Sequence, residues 1–472
     1  MGLENCTISN MKILLACLTV LHGLVAIAAK EFNVRSFGAT GDGMRKDTAA
    51  IQKAIDECAL GGGRVIVPPG TYLVGSIWLK DDVELHLQEG ATLLGSADLA
   101  DYNSEDAYPQ NWSSKSEGWS AKHLVLAIEK RNVSITGKGV IDGNARSFFS
   151  EGPAEKGTVC WRYGYLNVHG EVSAQARPGQ EIVFVECSGV AVKDVTLKDM
   201  SCWSCYFYGS RDITVGNVKI RNNITYANTD GFDVDSCTNV RIGDCDIVTG
   251  DDAIAVRGSP SRLKDKTKIC ENVTISNIVC RVSADGVRVG VGNGEIRNVR
   301  ISDMKILSAG RGLHLQCCYG RPRKGIKAGV DISDVVFERI EISDTCTSIC
   351  VAAGAEESTA RLENICFRDV RAESFSGVAI VGNGATVPRD IAFERCTFKI
   401  APSAAAPVAD RECGIVRGRN DGAVRIENAG SVSFRSCNLL WSREASGSLK
   451  RAFSLFRAKA PDVDPQSSFP DR

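Results

Sequence analysis

Three aspartates stand out because their spacing would bring their carboxylates together in a repeating structure. Asp230 lies in Asn228–Asp235, and Asp251 and Asp252 lie in Gly250–Val256, so the two groups are 21 residues apart. Paired carboxyl groups can hydrolyse a glycosidic bond, because one protonates the leaving oxygen while the other activates water. The same residues also suit a calcium site or solvated turns, since Asp-Gly and Gly-Asp are turn dipeptides. The spacing alone leaves both interpretations open.

The residues after each acid alternate between apolar and polar, as they do in β-strands. This alternation predicts that one set points into a core, namely Phe232, Val234, Ile254 and Val256. The opposite set is predicted to point outward, namely Asp233, Asp235, Ala255 and Arg257. A step of 21 residues is about one coil of a parallel β-solenoid, in which residues of equal phase lie side by side. We therefore expect the three acids to converge on one face.

A short motif recurs from residue 182 onward: a polar or small residue, then Val or Ile, then alternation. Its copies begin at Gly189, Asp212, Asn239, Asn272, Asn298, Asp334, Asn364 and Asp390. Successive copies are 23 to 36 residues apart, which is typical of a solenoid. The Leu-x-x-Leu-x-Leu pattern of leucine-rich repeats is missing, and the coils are too short for propeller blades. The sequence predicts an all-β solenoid of about ten coils.

The first part of the chain predicts a cap and two long loops. Asp47 suits the N-terminal cap of a helix, and helical spacing relates Ile51, Ala54, Ile55 and Cys58. A helix there would cover the exposed end of the solenoid core. Residues 98–122 and 145–179 are predicted to be long loops over the stack, where binding residues often lie.

The composition and the chain ends bear on partners and location. The net charge of -1 implies no bulk attraction to nucleic acid or to an anionic membrane. The apolar run 13–29 ends in small residues, so residues 1–29 are predicted to be a secretory signal and the protein to be secreted or periplasmic. Residues 30–455 would form one catalytic domain, and residues 456–472 a disordered tail. With 19 cysteines, we expect mostly buried thiols and a few disulfides.

The opening, the repeat, and the Asn-Thr-Asp and Gly-Asp-Asp motifs together resemble the polygalacturonases of glycoside hydrolase family 28. The resemblance covers roughly residues 31–440. It implies a single-stranded, right-handed parallel β-helix with an N-terminal capping helix. It also implies inverting hydrolysis of pectic polysaccharides without a metal or other cofactor. Carried over to this chain, it assigns Asp251 as the general acid, Asp230 and Asp252 as the bases that position water, and Asn228 as a substrate-binding residue.

Two positions depart from the family's pattern, and both bear on the substrate. Where the family usually has Gly-His-Gly, this chain has Ala284-Asp285-Gly286, and where the family has Arg-Ile-Lys, it has His314-Leu315-Gln316. The acids are kept, but the cations that hold a uronate carboxylate are not. We therefore predict that Asp285, His314 and Gln316 bind the substrate, and that the substrate specificity differs from the one usual in the family. Arg257 and Arg288 share the outward parity and are predicted to supply the lost positive charge. The alternative for each of these arginines, and for His314, is an ordinary position on the protein surface.

These departures leave three functions open. The first is a secreted hydrolase of a pectic or related acidic polysaccharide. The second is a hydrolase of a neutral or rhamnose-containing glycan, which His314 and Gln316 would favour. The third is a carbohydrate-binding protein that has lost turnover, which Asp285 would favour. A monomer with a polysaccharide substrate, and with no nucleic acid or membrane partner, is expected in each case.

Overall fold

The computed structural model describes residues 30–149, 177–318, 329–354, 359–401, 422–441, 449 and 451–469. Strands dominate these residues, which contain one α-helix, α1 (Thr48–Cys58). They also contain short 3₁₀ turns at Val34–Phe37, Leu99–Asp101, Ala145–Ser147 and Pro260–Arg262. The predicted signal, residues 1–29, and most of the second predicted loop lie outside the described residues.

The strands are short in the first half of the chain and longer around the middle. Those before the first acid are β1 (Glu31–Asn33), β2 (Asp42–Lys46), β3 (Gly63–Val67), β4 (Gly70–Val74), β5 (Ile77–Trp78), β6 (Val83–Leu87), β7 (Ala91–Gly95), β8 (Val125–Ile128), β9 (Arg131–Thr136), β10 (Val140–Asp142), β11 (Ile182–Val185), β12 (Ser188–Lys193), β13 (Thr196–Lys198), β14 (Cys205–Tyr208), β15 (Arg211–Gly216) and β16 (Lys219–Arg221). The strands after it are β17 (Phe232–Asp235), β18 (Thr238–Thr249), β19 (Ile254–Gly258), β20 (Cys270–Val282), β21 (Asp285–Gly292), β22 (Glu295–Cys318), β23 (Asp331–Gly354), β24 (Leu362–Ser374), β25 (Val378–Val381), β26 (Arg389–Glu394), β27 (Thr397–Ile400), β28 (Gly422–Glu427), β29 (Val432–Arg435), β30 (Asn438–Trp441), β31 (Arg451–Phe456) and β32 (Asp462–Val463).

The strands stack in parallel, each pairing with the strands one coil before and one coil after it. We call one column of this stack the site sheet; it runs through β5, β8, β11, β14, β17, β19, β21, the C-terminal parts of β22 and β23, β25, β28 and β31. Parallel pairing at every step of this column confirms the predicted parallel β-helix. The twelve described segments of this column show that the prediction of about ten coils was slightly low.

The core is a stack of identical or similar side chains that face inward on successive coils. Phe232, Val234, Ile254 and Val256, the residues predicted to point inward, are fully buried there. Further along, four rings stack one above another with centroids 5.0, 5.0 and 4.6 Å apart: Phe337, Phe367, Phe393 and Phe434. Each such aromatic contact adds about 0.5–1.5 kcal/mol beyond area burial. The stacking fixes the register of the coils, and with it the positions of the outward residues.

The polar residue that opens each repeat has a structural reason. Asp212, Asn239, Asn272 and Asn298 have φ angles of 56°, 59°, 57° and 52°, in the left-handed region that Asn and Asp tolerate better than most residues. Their side chains form a ladder along the corner. Nδ2 of each Asn donates to Oδ1 of the residue one coil earlier, over 3.0, 3.1 and 2.6 Å. The repeat seen in the sequence is therefore a row of turns.

Helix α1 covers the N-terminal end of the core, as predicted, and buries Ile51, Ala54, Ile55 and Cys58. Its predicted cap is wrong in one detail. Asp47 occupies the N-cap position, but its side chain makes no capping hydrogen bond. The carboxylate instead accepts from the backbone N–H groups of Thr40 and Gly41, at 2.7 and 2.9 Å. Asp47 therefore ties the preceding loop to the helix.

The C-terminal segment is a correction to the prediction of a disordered tail at residues 456–472. The chain is ordered through residue 469, and β32 pairs with β29. The Phe469 ring packs against Phe434 and Phe453, with centroids 5.1 and 4.8 Å apart. The physical reason is that the last coil exposes apolar rings that need a cover, and Phe469 supplies it.

The described cysteines agree with the expectation of mostly buried thiols. All of them except Cys350 carry a thiol that is in no disulfide, and among these thiols only that of Cys366 is not buried. Cys350 is disulfide-bonded. Within the described part of the chain, no helix is long and apolar enough to span a membrane.

Candidate active site

The site lies on the outer face of the site sheet, where three successive strands begin. Phe232 pairs with Ile254, and Ile254 pairs with Val287. Asp230, Asp252 and Asp285 each stand two residues before those partners, so they share one register position on three consecutive coils. The backbone N–H of Gly231 donates to the Asp252 carbonyl at 2.9 Å, and that of Ala253 donates to the Asp285 carbonyl at 2.9 Å, which continues the ladder through them. On the next coil Arg311 occupies this position, paired with Asp285.

The three predicted catalytic carboxylates do converge. One oxygen each from Asp230, Asp251 and Asp252 lies within 4.8 Å of the others. Asp230 and Asp252 are 3% and 2% exposed, whereas Asp251 is only half-buried. Asp251 is therefore the member of the trio that solvent and substrate reach most readily.

Backbone groups hold the acids in place. The Asn228 N–H donates to Oδ2 of Asp251 at 3.1 Å, and the Asp252 N–H donates to its Oδ1 at 3.1 Å. Oδ1 of Asp252 accepts from the Asp285 N–H at 3.1 Å. Oδ1 of Asp230 is buried and has no hydrogen-bond partner within the described residues.

The electrostatics favour protons on this cluster. Burial raises the pKa of Asp251 to about 6, the charge of Asp285 adding to the effect and Arg288 opposing it. Burial also raises the pKa of Asp230 and of Asp252 well above the usual range, and the neighbouring carboxylates push in the same direction. The trio therefore titrates as a coupled group rather than as three separate acids.

Asp285 behaves differently because two side chains hold its charge. Nε of Arg311 donates to its Oδ1 at 2.6 Å, and Nδ1 of His314 donates to its Oδ2 at 2.8 Å. Burial alone would raise the pKa of Asp285, but Arg311 and His314 hold it well below the usual range. Asp285 is thus an ionised carboxylate inside the protein, and it is fully buried.

His314 was expected either to bind substrate or to be an ordinary surface histidine, and the surface alternative is wrong. Its side chain is fully buried. Burial lowers the pKa of His314, and the nearby Arg311 charge lowers it further. The ring is therefore neutral, with its proton on Nδ1 toward Asp285. Its Nε2 is an acceptor with no hydrogen-bond partner within the described residues.

Arg288 lies among the acids, as the prediction required. Its NH1 is 3.7 Å from Oδ2 of Asp252 and 4.0 Å from Oδ2 of Asp285. Its NH2 donates to Oε1 of Gln316 at 2.9 Å. The side chain is 8% exposed, so the alternative of a solvated surface arginine is wrong. Gln316 orients Arg288 from the side away from Asp252.

Arg257 lies on the same face but not at the same register position. It pairs with Asp235, whereas Arg288 pairs with Ala255, so the two arginines are not direct neighbours on adjacent coils. NH1 of Arg257 donates to Oδ1 of Asp233 at 2.8 Å, and its guanidinium lies 4.4 Å from the Trp203 ring centroid. Its charge is already matched by a buried carboxylate.

Asn228 connects the acids to the rest of the structure. Besides the bond from its backbone N–H to Asp251, its Oδ1 accepts from NH2 of Arg177 at 2.8 Å. Arg177 is fully buried and also donates to the Ala227 carbonyl at 3.0 Å. The amide oxygen of Asn228 is therefore engaged by Arg177 in this structure.

Three functional candidates were missed or undervalued in the sequence. Arg311 has a recoverable signal, because Gly310-Arg311-Gly312 repeats the spacing of Ala284-Asp285-Gly286 one coil later. Asp233 was predicted only to point outward, yet it is fully buried and pairs with Arg257. Arg177 follows a long stretch of sequence that shows no repeat, so no pattern identified it.

The acid trio also has the donor set of a divalent cation site, since carboxylate oxygens are what Ca²⁺ and Mg²⁺ prefer. The oxygens of Asp230, Asp251 and Asp252 are close enough to share an ion. The nearby Arg288 guanidinium supplies positive charge to the same oxygens. If the trio acts as acid and bases, a chelator should leave activity unchanged. If the trio holds a cation, a chelator should remove activity.

Fold and site together define a parallel β-helix protein with clustered carboxylates on one outer face. Residues 64–405 match the family model for the glycosyl hydrolases family 28. The chain therefore belongs to family 28, a family of glycoside hydrolases, and the predicted resemblance is confirmed.

Relatives of known sequence or structure are consistent with this membership. The chain is 31% identical over 296 residues to an exo-poly-alpha-D-galacturonosidase of Dickeya chrysanthemi, covering 56% of this chain and 48% of that one. It is 27% identical over 313 residues to a probable polygalacturonase of Vitis vinifera, covering 64% and 60%. It thus spans about half to three-fifths of these relatives. The family 28 exopolygalacturonase structure from Yersinia enterocolitica superposes with a TM-score of 0.70 at 19% identity, covering 93% of this chain and 79% of that one, which supports the fold.

Proposed function

We propose that this chain is an inverting hydrolase of galacturonate-containing, pectic polysaccharide that works outside the cytoplasm. The observation that carries the proposal is the convergence of Asp230, Asp251 and Asp252 on one face, within 4.8 Å of one another. Family membership makes glycosidic bonds the natural target. Relatives named as polygalacturonases make a galacturonate chain the first substrate to test.

The proposed division of labour follows exposure and charge. Asp251 is the half-buried member, and its pKa of about 6 lets it hold a proton in mildly acidic solution. It is the general acid that protonates the leaving oxygen. Asp230 and Asp252 are more deeply buried and act as a pair. Because burial and the neighbouring carboxylates raise the pKa of both, the two share a proton, and the ionised member is the base that activates the attacking water. Arg288 lies beside Asp252 and favours its ionised form, which a base requires.

Inversion comes from the family resemblance and needs its own measurement. Acid and base carboxyls of inverting glycosidases are roughly 6.5–9.5 Å apart, to leave room for water. In this chain the nearest oxygens of the trio are within 4.8 Å, which is shorter than that separation, so the choice between inversion and retention is decided by the product. Proton NMR of the first anomer released, before mutarotation, decides the matter. An anomer opposite in configuration to the bond cleaved supports inversion, and a retained anomer contradicts it.

A second candidate substrate, a neutral or rhamnose-containing glycan, is favoured by one observation. The arginines beside the acids already face protein carboxylates: Arg257 faces Asp233, and Arg288 lies near Asp252 and Asp285. An acidic sugar would have to compete with these carboxylates for a guanidinium.

The experiment measures the release of reducing sugar from three polymers: polygalacturonate, its carboxyl-reduced neutral counterpart and rhamnogalacturonan. The Asp251→Asn variant serves as the inactive control. Turnover confined to polygalacturonate supports the proposal, and turnover only on the neutral or rhamnose-containing polymers selects the second candidate. Binding without release by either protein contradicts hydrolysis and favours a binding protein. An ultraviolet-absorbing unsaturated product would indicate a lyase.

Export and a monomeric state are also part of the proposal. The apolar run 13–29 with its small-residue end supports removal of a signal before residue 30. N-terminal sequencing of the protein recovered outside the cytoplasm tests the cleavage, and an intact residue 1 in that fraction would contradict it. Light scattering of the purified protein tests the monomer.

A further inference from the structure

The side chain of Arg257 lies diagonally across the outer face of the site sheet. Its backbone pairs with Asp235 on the preceding coil, yet its NH1 donates to Oδ1 of Asp233, two residues nearer the acids, at 2.8 Å. The guanidinium also reaches Trp203, and lies 4.4 Å from the centroid of that ring. Asp233 is fully buried, and the Arg257 side chain is 14% exposed. The long side chain is therefore held at its charged end.

These two contacts bring the charge of Arg257 beside the first acid. Cys205 pairs with Phe232, so Trp203 holds, one coil earlier, the register position that Asp230 holds on its own coil. Adjacent coils are roughly 4.8 Å apart. A guanidinium that contacts the Trp203 ring on one coil and a carboxylate on the next therefore flanks Asp230.

Asp233, and not Asp235, is the residue that holds Arg257. Asp235 accepts from neutral donors, namely the N–H of Ser259 at 2.6 Å and the hydroxyl of Ser236 at 3.0 Å. Asp233 accepts from the guanidinium through Oδ1, and its buried Oδ2 has no hydrogen-bond partner within the described residues. A buried carboxylate with a single partner is poorly compensated, and a proton on Oδ2 would relieve it.

The charge of Asp233 changes near neutral pH. Burial raises the pKa of Asp233 to about 7, although Arg257 opposes this effect. Above that pH the carboxylate and the guanidinium largely cancel. The pKa of Asp251 is about 6, so in solution acidic enough to protonate Asp251 the Asp233 carboxyl is neutral as well. A neutral carboxyl still accepts from NH1 and cancels none of the positive charge, which then acts on Asp230.

The other charged groups around this contact are carboxyls and one second arginine. Arg288 lies 3.7 Å from Asp252, so each member of the proposed base pair has its own guanidinium, Arg257 for Asp230 and Arg288 for Asp252. The further titratable groups that act on Arg257 or Asp230 are Asp233, Asp235, Asp251 and Tyr206. Burial raises the pKa of Tyr206 well above its usual range, so that phenol stays neutral.

We propose that Asp233 is a positioning residue that holds Arg257 across the site, and that the charge of Arg257 favours the ionised form of Asp230 while Asp251 is protonated. The inference rests on the proposed hydrolysis and goes beyond it, because it gives Asp233 and Arg257 a role in preparing the base. The same conditions that load the general acid then release the charge that supports the base. The competing role for Arg257 is direct binding of a substrate carboxylate.

The experiment compares the pH dependence of kcat/KM for the wild-type protein, Arg257→Gln and Arg257→Lys, on a polymer that the wild-type protein hydrolyses. The acidic limb of this profile reports ionisation of the base in the free protein. Loss of the charge in Arg257→Gln should raise the pKa of Asp230 and move this limb up by about one pH unit. Arg257→Lys keeps the charge and should restore most of the shift. The control is Arg241→Gln, on an exposed residue of β18, which should leave the limb in place.

The double variant Asp233→Asn/Arg257→Gln removes both charges and leaves no buried carboxylate without its arginine. It should fold even if Arg257→Gln does not, as circular dichroism can verify, and it should show the same shifted limb. An acidic limb that stays in place when the Arg257 charge is removed overturns the proposal. A raised KM for polygalacturonate with an unmoved limb selects substrate binding by Arg257. No hydrolysis by the wild-type protein would instead count against the proposed function, so the two failures are distinguishable.

Two substitutions at Asp233 test the positioning role by itself. Asp233→Asn keeps an oxygen that can accept from NH1 of Arg257, whereas Asp233→Ala keeps none. The alanine variant should therefore move the acidic limb in the same direction as Arg257→Gln, and the asparagine variant should move it clearly less. Equal shifts in the two variants would overturn the role of Asp233.

Discussion

Arg311 donates a hydrogen bond from Nε to Oδ1 of Asp285 at 2.6 Å, and both side chains are almost completely buried. Asp285 stands where the family usually has a histidine. In this chain a histidine, His314, is found one coil later and donates to the same carboxylate. The charged groups of this chain thus form a buried network next to the acids. Asp285 is a positioning residue, because its N–H holds Asp252 while its carboxylate holds Arg311 and His314.

The first prediction concerns this network. Asp285→Asn removes the charge that offsets the buried Arg311, so the free energy of unfolding should fall by about 3–5 kcal/mol. The pKa of Asp285 is held well below its usual range. Its contribution to stability is therefore complete above the usual aspartate range and is lost as the pH falls toward the folded-state pKa. Urea unfolding at pH 7 measures the first effect, and unfolding at about pH 2.5, below the usual aspartate range, measures the second.

The matched control is Asp303→Asn, which removes the carboxylate of an exposed pair. Arg339 grips Asp303 with two hydrogen bonds of 2.7 and 2.8 Å, but the side chains are 50% and 44% exposed. Exposed pairs contribute about 0–1 kcal/mol. Equal losses in the two variants would contradict a special role for the buried network.

How much the sequence could predict depends on whether a residue obeys the repeat. The Asn and Asp turns and the inward Phe232 and Val234 recur with each coil, so period and polarity identified the fold. Asp230 and Asp252 followed from the same periodicity. The pairing of Asp285 with Arg311 depends on register across coils with inserted loops, which spacing alone does not give. Arg177 and residues 103–123 belong to no repeat of the sequence, so their contacts could be seen only in the structure.

The second prediction concerns a chelator. If the trio acts as acid and bases, EDTA should leave kcat and KM unchanged, because Arg288 already supplies positive charge beside Asp252. Added Ca²⁺ should slow the reaction or leave it unchanged. Loss of activity in EDTA, restored by one divalent cation, would contradict the assignment and select the cation-site interpretation of the sequence.

The third prediction is the pH profile and its dependence on Asp251. The general acid must be protonated, and the pKa of Asp251 is about 6. Turnover should therefore decline as the pH rises above about 6. Asp251→Asn should lower kcat by about 100-fold or more, with KM little changed, because the proton donor is lost. Near-normal turnover in this variant would refute the role, and circular dichroism checks that it is folded.

The fourth prediction separates function from stability at Asp230. Burial and the Asp251 charge raise its pKa well above the usual range. Because the pKa is raised, the folded state keeps a proton that the unfolded state releases. This group therefore destabilises the folded state progressively as the pH rises above 3.8, the usual pKa of an aspartate. Asp230→Asn should lower kcat by about 100-fold or more and still raise the melting temperature, more at pH 8 than at pH 4. The control is Asp106→Asn, which changes an exposed residue between β7 and β8 and should alter neither kcat nor the melting temperature.

The last prediction tests the charge of the substrate through Arg288. A guanidinium can bind a carboxylate with two parallel hydrogen bonds, which Gln cannot do. Arg288 lies 3.7 Å from Asp252, and Gln316 orients its other nitrogen. If it binds the uronate beside the cleavage point, Arg288→Gln should raise KM for polygalacturonate more than for the carboxyl-reduced polymer. Arg300→Gln, whose side chain is 53% exposed, is the control and should leave both KM values unchanged. Arg288 also supports the ionised form of Asp252, so kcat should fall equally on both substrates. Equal KM effects on the two polymers would mean that Arg288 serves the acids alone, and the substrate would then be the neutral or rhamnose-containing glycan.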